Sequence, residues 1–250
     1  MMTIGQKKTF IGVRILWALA LLLLLIVIAG GPGVHLGLWS PLDGFLLSMR
    51  AGFMGGLALA ILALVIIIII AVKKKAGMGK AVLSLLIGLL LAAPVGYLRL
   101  SGGGGVPPIH DIATDTANPL VFMALAGKRG DGANSITYAG AELAEQQKQS
   151  YPDVGPLLVN GAPNKVFSRT IDVARDMGWH ITGVEAKARR FEATDHSFWF
   201  NFADDIVVAV TATDTGSRVD LRSVSRVGRS DLGVNAKRIM AFQKNYPATP

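Results

Sequence analysis

The side chains with the most chemistry to offer crowd into Val219–Arg238, where Arg222, Ser223, Ser225, Arg226, Arg229, Ser230, Asp231 and Asn235 follow one another closely. Arginines beside a helix N-terminus can hold an anion, because free backbone N–H groups and the helix dipole favour phosphate or carboxylate there. The same residues can equally be scaffold, the arginines pairing with Asp204, Asp205 or Asp220 and the hydroxyls tying a loop to a strand end. Alternation along Arg218–Ser225 puts Val219, Leu221, Ser223 and Ser225 on one face and Arg218, Asp220 and Arg222 on the other. Ser230 or Asp231 then caps a helix over Val234–Asn245, and Asn235 shares that helix's inward face with Ile239 and Phe242. A cap at Asp231 already takes up helix donors, which weighs against an external anion. The binding set is therefore Asp204, Asp205, Arg222, Ser223, Ser225, Arg226, Arg229, Ser230, Asp231 and Asn235, with a structural role the stronger reading.

Other constellations are thinner. His110, Asp111 and Asp115 have metal-ligand types, but one histidine and two carboxylates on an unpatterned loop make a poor site. Asp195-His196 and Asp204-Asp205 offer acid/base pairs, and Ser225 or Ser230 a nucleophile, yet neither serine lies in a G-x-S-x-G elbow. His180 beside Trp179 reads as a hydrogen-bonded, half-buried histidine. Phe198-Trp199-Phe200-Asn201-Phe202 can line a groove or place core residues on one face of a strand. Cysteine is absent, which removes thiolate chemistry and disulfides and fits an oxidising compartment. No catalytic residue, metal or cofactor is assigned.

The elements around these residues begin in a membrane. The chain has 250 residues, 51% of them apolar, too many for a single water-soluble domain. Its net charge of +8 sits wholly in residues 1–100, where nine Lys/Arg face Asp43 alone, while residues 101–250 are neutral. No basic surface is left to bind nucleic acid. Phe10–Gly30, Ala51–Val72 and Ala81–Arg99 are apolar runs of a length that crosses about 30 Å of hydrocarbon. Lys7 and Lys8 precede the first, and Lys73, Lys74, Lys75 and Lys80 fill the loop between the second and third. By the positive-inside rule both segments are cytoplasmic, and everything beyond Arg99 is periplasmic, at a bacterial inner membrane. Small residues at Ala29-Gly30-Gly31 would also suit signal cleavage, although two further spans favour a retained anchor. Gly52, Gly56 and Ala60, and Ser84, Gly88, Ala92 and Gly96, form small-residue stripes for a tight hairpin or a homodimer contact. The spans carry no polar groups at their centres for a transport path.

Residues 101–108, a glycine run ending in Val106-Pro107-Pro108, form a linker that reaches about 28 Å at most. The remainder, 109–250, reads as one α+β domain. Ile109–Leu120 is irregular or extended, Ala139–Ser150 helical, and Asn164 caps a helix running to Met177. Strands follow at Trp179–Ala186, Arg190–Asp195, Phe198–Phe202 and Ile206–Thr213, with a bend or bulge at Asp204-Asp205. A turn at Asp214–Ser217 returns the chain along Arg218–Ser225. The expected fold is thus three transmembrane helices, then an antiparallel sheet of about four strands flanked by helices.

With those residues in view, the domain resembles the domain-of-unknown-function 1499 family across residues 107–245. The likeness rests on Trp199–Ile206, similar to the family's aromatic-Gly-Phe-x-Asp-Asp-Val strand, and on Arg222–Asn235, similar to its most characteristic run. Ile109–Ile112 with Asp115-Thr116 resembles the opening of a membrane-anchored bacterial branch. Asn201 stands where the family pattern has Gly, and Asn118-Pro119 where many soluble members have Asn-Cys. The resemblance implies a domain boundary and highlights the junction, and it brings no activity with it.

The expectation is a non-enzymatic periplasmic domain on a membrane anchor. It would bind an envelope ligand (anionic head group, glycan or peptide) or a membrane protein partner through the face around Asp204, Arg222, Arg226 and Arg229. The alternatives are a membrane-bound hydrolase using the Asp/His/Ser set and a structural or assembly protein of the envelope.

Overall fold

Apolar runs become helices in the first of two compact units, which part between Gly104 and Gly105 in this computed structural model; the structure describes residues 9–246. Helix α1 spans Ile11–His35, α2 Pro41–Arg50, α3 Gly56–Val72 and α4 Met78–Leu100. A π-helical turn over Ala51–Gly55 joins α2 to α3, so Pro41–Val72 is one continuous helical rod. That rod, α1 and α4 are each long and apolar enough to cross a membrane. The connection left between the expected spans ending at Gly30 and beginning at Ala51 is far shorter, since α1 runs to His35 and α2 starts at Pro41. Ser40 caps α2 by accepting the Asp43 N–H at 3.1 Å, with Pro41 ready-set at the first helical position. Trp39 donates its indole N–H to the Gly30 carbonyl at 2.8 Å, and Ser48 donates to that of Val27 at 2.8 Å.

The small-residue stripes meet inside the chain. A Cβ on Gly56 would lie 2.5 Å from the Gly88 carbonyl oxygen, and one on Gly88 would lie 2.6 Å from that of Gly56. Gly52 likewise faces the Leu91 carbonyl, and Ala60 and Ala92 are buried at the same contact. Within the chain the stripes thus pack α3 against α4 as a tight hairpin.

The second unit is built on six strands: β1 Asp111–Ala113, β2 Leu157–Val159, β3 His180–Glu185, β4 Arg190–His196, β5 Ala203–Thr213 and β6 Gly216–Ser225. All pairings are antiparallel in the order β1-β6-β5-β4-β3, with β2 alongside β6 below β1. The sheet therefore has six strands and not about four. The two additions are three residues long, too short for an alternating pattern to register. Phe198–Phe202 is a loop, not a strand. Asn201 takes φ +52°, and the Phe202 N–H bonds back to Ser197 Oγ at 2.9 Å. Asp204 and Asp205 sit in regular register opposite Ser225 and Val224, with no bulge.

Three helices accompany the sheet: α5 Ala141–Ser150, α6 Pro163–Asp176 and α7 Val234–Asn245. Pro163 opens α6 after Ala162, displacing the cap expected at Asn164. Val166, Phe167, Val173 and Ala174 of α6 join Ile239 and Phe242 of α7 over Phe191, Ile206, Val208, Val219 and Leu221. Trp179 stacks on Phe242 at 5.3 Å. The other sheet face is covered by the irregular segment 114–140, whose Phe122 and Leu125 pack on Val207 and Val224. Both faces of β5 are thus buried, as its unbroken apolar run requires.

Candidate functional site

Strand alternation sends the polar residues of the β5–β6 pair to two separate clusters. On the helix side, Ser223 donates to Asn235 Oδ1 at 2.6 Å, while Asn235 Nδ2 donates to Ser225 Oγ at 2.9 Å and the His110 carbonyl at 3.0 Å. Arg238 closes this cluster, bonding Asp204 at 2.6 Å, Asp195 at 2.8 Å and Asn235 Oδ1 at 2.5 Å. Asn235 is fully buried, pointing inward as helical spacing demands. The cap position of α7 is Gly233, at φ +81°; Asp231, two residues earlier, accepts the N–H groups of Gly233 and Asn235, each at 2.8 Å, and so ties down the first turn. Burial raises its carboxyl above the ordinary value, with those backbone bonds opposing and the nearby charge of Asp204 reinforcing the shift.

On the loop side, Arg226 bonds Asp205 at 2.8 Å through Nη2 and 3.0 Å through Nε, and Arg129 adds a bond at 2.7 Å. Thr194 donates to the same carboxylate at 2.9 Å. Burial by itself would raise the Asp205 carboxyl. The hydrogen bonds from Arg226, Arg129 and Thr194 outweigh it, and the net shift is downward. Arg222, only 1% exposed, grips Asp111 with two bonds of 2.9 and 2.7 Å and donates to the carbonyls of Leu120 and Ile136, both at 2.8 Å. Its guanidinium lies between the rings of Phe122 and Tyr138. Glu192, buried beneath the same segment, accepts the N–H groups of Met123 and Leu125 at 2.6 and 2.8 Å.

The residues singled out from the sequence are therefore brought together, but onto one another. Arg129, Arg238 and Glu192 complete the two clusters and were missed, and Asp111, weighed only as a metal ligand, is the partner of Arg222. Arg238 left one signal, its place three residues after Asn235 on the inward face of α7. Arg229 differs from its neighbours: it is exposed and pairs with no carboxylate among the described residues. Ser230 donates to the Pro107 carbonyl at 3.4 Å. Neither its hydroxyl nor that of Ser225 bonds a histidine ring among the described residues, and Asp195, the neighbour of His196, is taken by Arg238. Asp115 binds Arg218 at 2.7 Å and accepts two N–H groups of its own turn. No group of three His, Asp or Glu among the described residues is placed to hold a metal ion.

Open space lies beside the junction. A cleft of about 340 Å³ is bordered by Pro108, Ile109, His110, Asn134, Ser135, Thr137, Glu142, Leu143 and Gln146. Its wall is fastened to the β6–α7 loop. Asn134 donates to the carbonyls of Ser225 and Gly228 at 3.1 and 2.9 Å, and His110 Nδ1 donates to that of Arg229 at 3.2 Å.

The model of one protein family of unknown function, DUF1499, matches residues 111–245, from the first residue of β1 to the last of α7. The chain belongs to that family. The DUF1499 match takes in both ionic clusters and most of the cleft wall, and the three candidate membrane-spanning helices lie outside it. No curated protein matches the chain.

Proposed function

We propose that this protein is a non-enzymatic binding module on a membrane anchor, taking a neutral, hydroxyl-rich ligand such as a glycan unit of the bacterial envelope in the cleft beside His110. The cleft lining carries this reading. Ser135, Thr137 and Gln146 supply hydroxyls and an amide, while Pro108, Ile109 and Leu143 supply an apolar floor for the C–H face of a sugar ring. Its size falls in the usual range for ligand sites. An anionic head group is less favoured, because Arg222 and Arg226 have their charge engaged by Asp111 and Asp205. A periplasmic location for the DUF1499 domain, on an inner-membrane anchor, is supported by the lysine loop Lys73–Lys80 and the neutral charge of residues 101–250.

The test uses the full chain in lipid nanodiscs, titrated with envelope glycan fragments and, separately, with phosphorylated head groups. A glycan should raise the melting temperature, and Thr137→Ala with Gln146→Ala should weaken it on the order of tenfold. Stabilisation by phosphorylated head groups alone, lost in Arg229→Ala, would replace the glycan reading with an anion site. An alkaline phosphatase reporter fused after Pro250 should be active; silence there with a functional cytoplasmic reporter would overturn the orientation.

A further inference from the structure

The large aromatic side chains left exposed by the second unit share one loop, and the linker enters at the same end of the sheet. In the β4–β5 loop Phe198 is 88% exposed and Trp199 43%. The loop is a built structure. Ser197 N–H donates to the Phe202 carbonyl and Asn201 N–H to that of Ser197, each at 2.9 Å. The β6–α7 loop stands next to it, Arg226 N–H reaching the Ala203 carbonyl at 3.0 Å. It adds Leu232, 42% exposed at φ +54°, with Val234 and the cationic side chain of Arg229. Register puts both loops at one end, since His196 pairs with Ala203, Asp204 with Ser225 and Asp111 with Val224. Asp111 begins β1, so Pro107–His110 arrives there, fixed by the bond from Asp231 N–H to the Ile109 carbonyl at 3.0 Å. The far end shows Glu185, Lys187, Asp214 and Thr215 to solvent. Exposed Val121, Met123, Leu158 and Val184 elsewhere add no aromatic ring.

We propose that this end of the domain is a lipid-binding surface, with Phe198, Trp199 and Leu232 seated in the interface of the bilayer that carries the helices and Arg229 among the lipid phosphates. The partner follows from the chain itself. The glycine and proline linker reaches at most about 28 Å from a membrane-spanning helix, and it delivers this end first. Tryptophan rings favour the headgroup level, where an apolar body and a polar N–H are both accommodated. Arginine beside them meets the phosphates of that layer. A loop closed by three hydrogen bonds presents the rings without an ordering penalty on docking.

The chain has no cysteine, so single labels can be placed at will. Phe198→Cys, Leu232→Cys and Thr215→Cys, each carrying an environment-sensitive fluorophore, are compared in the full chain in phosphatidylcholine vesicles containing a lipid spin-labelled near its headgroup. Labels at 198 and 232 should be blue-shifted and quenched several-fold more than the label at 215. In the Leu232→Cys background, Phe198→Ser with Trp199→Ser should abolish that quenching at an unchanged melting temperature. Equal quenching at all three positions, or at none, overturns the proposal, as does a 232 signal indifferent to loss of both rings.

Discussion

Asp204 and Asp205 are neighbours on β5 that face opposite sides of the sheet, each held by a different arginine: Arg238 at 2.6 Å on the helix side and Arg226 at 2.8 Å on the loop side. A strand's two-residue period makes that separation unavoidable. The pair is two locks, one fastening α7 and the other fastening the 114–140 segment.

The loop-side lock should be the more sensitive to charge. In Asp205→Asn the guanidinium groups of Arg226 and Arg129 stay largely buried without a counter-charge, a loss of about 3–5 kcal/mol. Thermal unfolding of the DUF1499 domain should fall by roughly 10 °C or more. Arg226→Gln, with Arg129 still on the carboxylate, should fall less.

Acid unfolding separates the two buried aspartates by sign. The Asp205 carboxyl is held below its ordinary value of 3.8, so its contribution is complete above that pH and disappears as pH falls through the lower folded value. Asp231 is shifted up by burial, so its ionised form weakens the fold above the folded value, and protonation relieves that as pH falls. Denaturant midpoints measured against pH should show a shallower acid loss in Asp205→Asn than in the wild type. Asp231→Asn, which removes the opposing contribution, should show a steeper one.

The legible parts were those with a period. Ile206, Val208 and Val210 alternating with Val207 mark β5 as buried on both faces, and the position of Asn235 one turn before Ile239 turns its amide inward. Asp231 reads as the cap of α7; it does bond the first turn, but the cap position itself falls to Gly233 in left-handed backbone, which no periodicity announces. Arg222 was read correctly as lying away from the helix face, but its partner Asp111 is 111 positions distant on a three-residue strand. Nothing periodic connects them. Glu192 is similar: its role is to hold two backbone N–H groups of a segment without regular structure, and that path is set by tertiary contacts alone. Phe198–Phe202 alternates like a strand, yet left-handed backbone at Asn201 turns it back.

Arg222 and Asp111 should tolerate joint removal better than single loss. Arg222→Met or Asp111→Leu each strands a buried charge, at about 3–5 kcal/mol. The double variant should recover part of that, although the carbonyls of Leu120 and Ile136 lose their donor. A double-mutant cycle on the full chain checks it. Strict additivity would show that the ion pair contributes little coupling.

Tyr138 contributes a ring rather than a hydroxyl. Its centroid lies 5.3 Å from the Arg222 guanidinium, and its oxygen is buried without a partner among the described residues. Burial first, and then the charge of Asp111, push the phenol up to about 12. Tyr138→Phe keeps the ring over the cation and removes the stranded group, so stability should hold or rise by about 1 kcal/mol. Tyr138→Ala should lower it. Spectrophotometric titration of the tyrosines should lose its highest-pH component in Tyr138→Phe.

The membrane unit offers its own comparison between two glycines of one stripe. At Gly88 a side chain would strike the Gly56 carbonyl and the backbone of Ala60, whereas at Gly96 a Cβ meets nothing within 4 Å. Backbone cannot yield as a flexible side chain can, so Gly88→Leu must push α3 and α4 apart and forfeit their close packing. Its helical unit should unfold at lower denaturant in detergent or nanodiscs, while Gly96→Leu behaves as wild type. The DUF1499 domain reports on itself in the same samples through Trp179, stacked in its core, and its transition should not move in either variant. If Gly88→Leu and Gly96→Leu unfold alike, α3 and α4 do not depend on the Gly56–Gly88 approach.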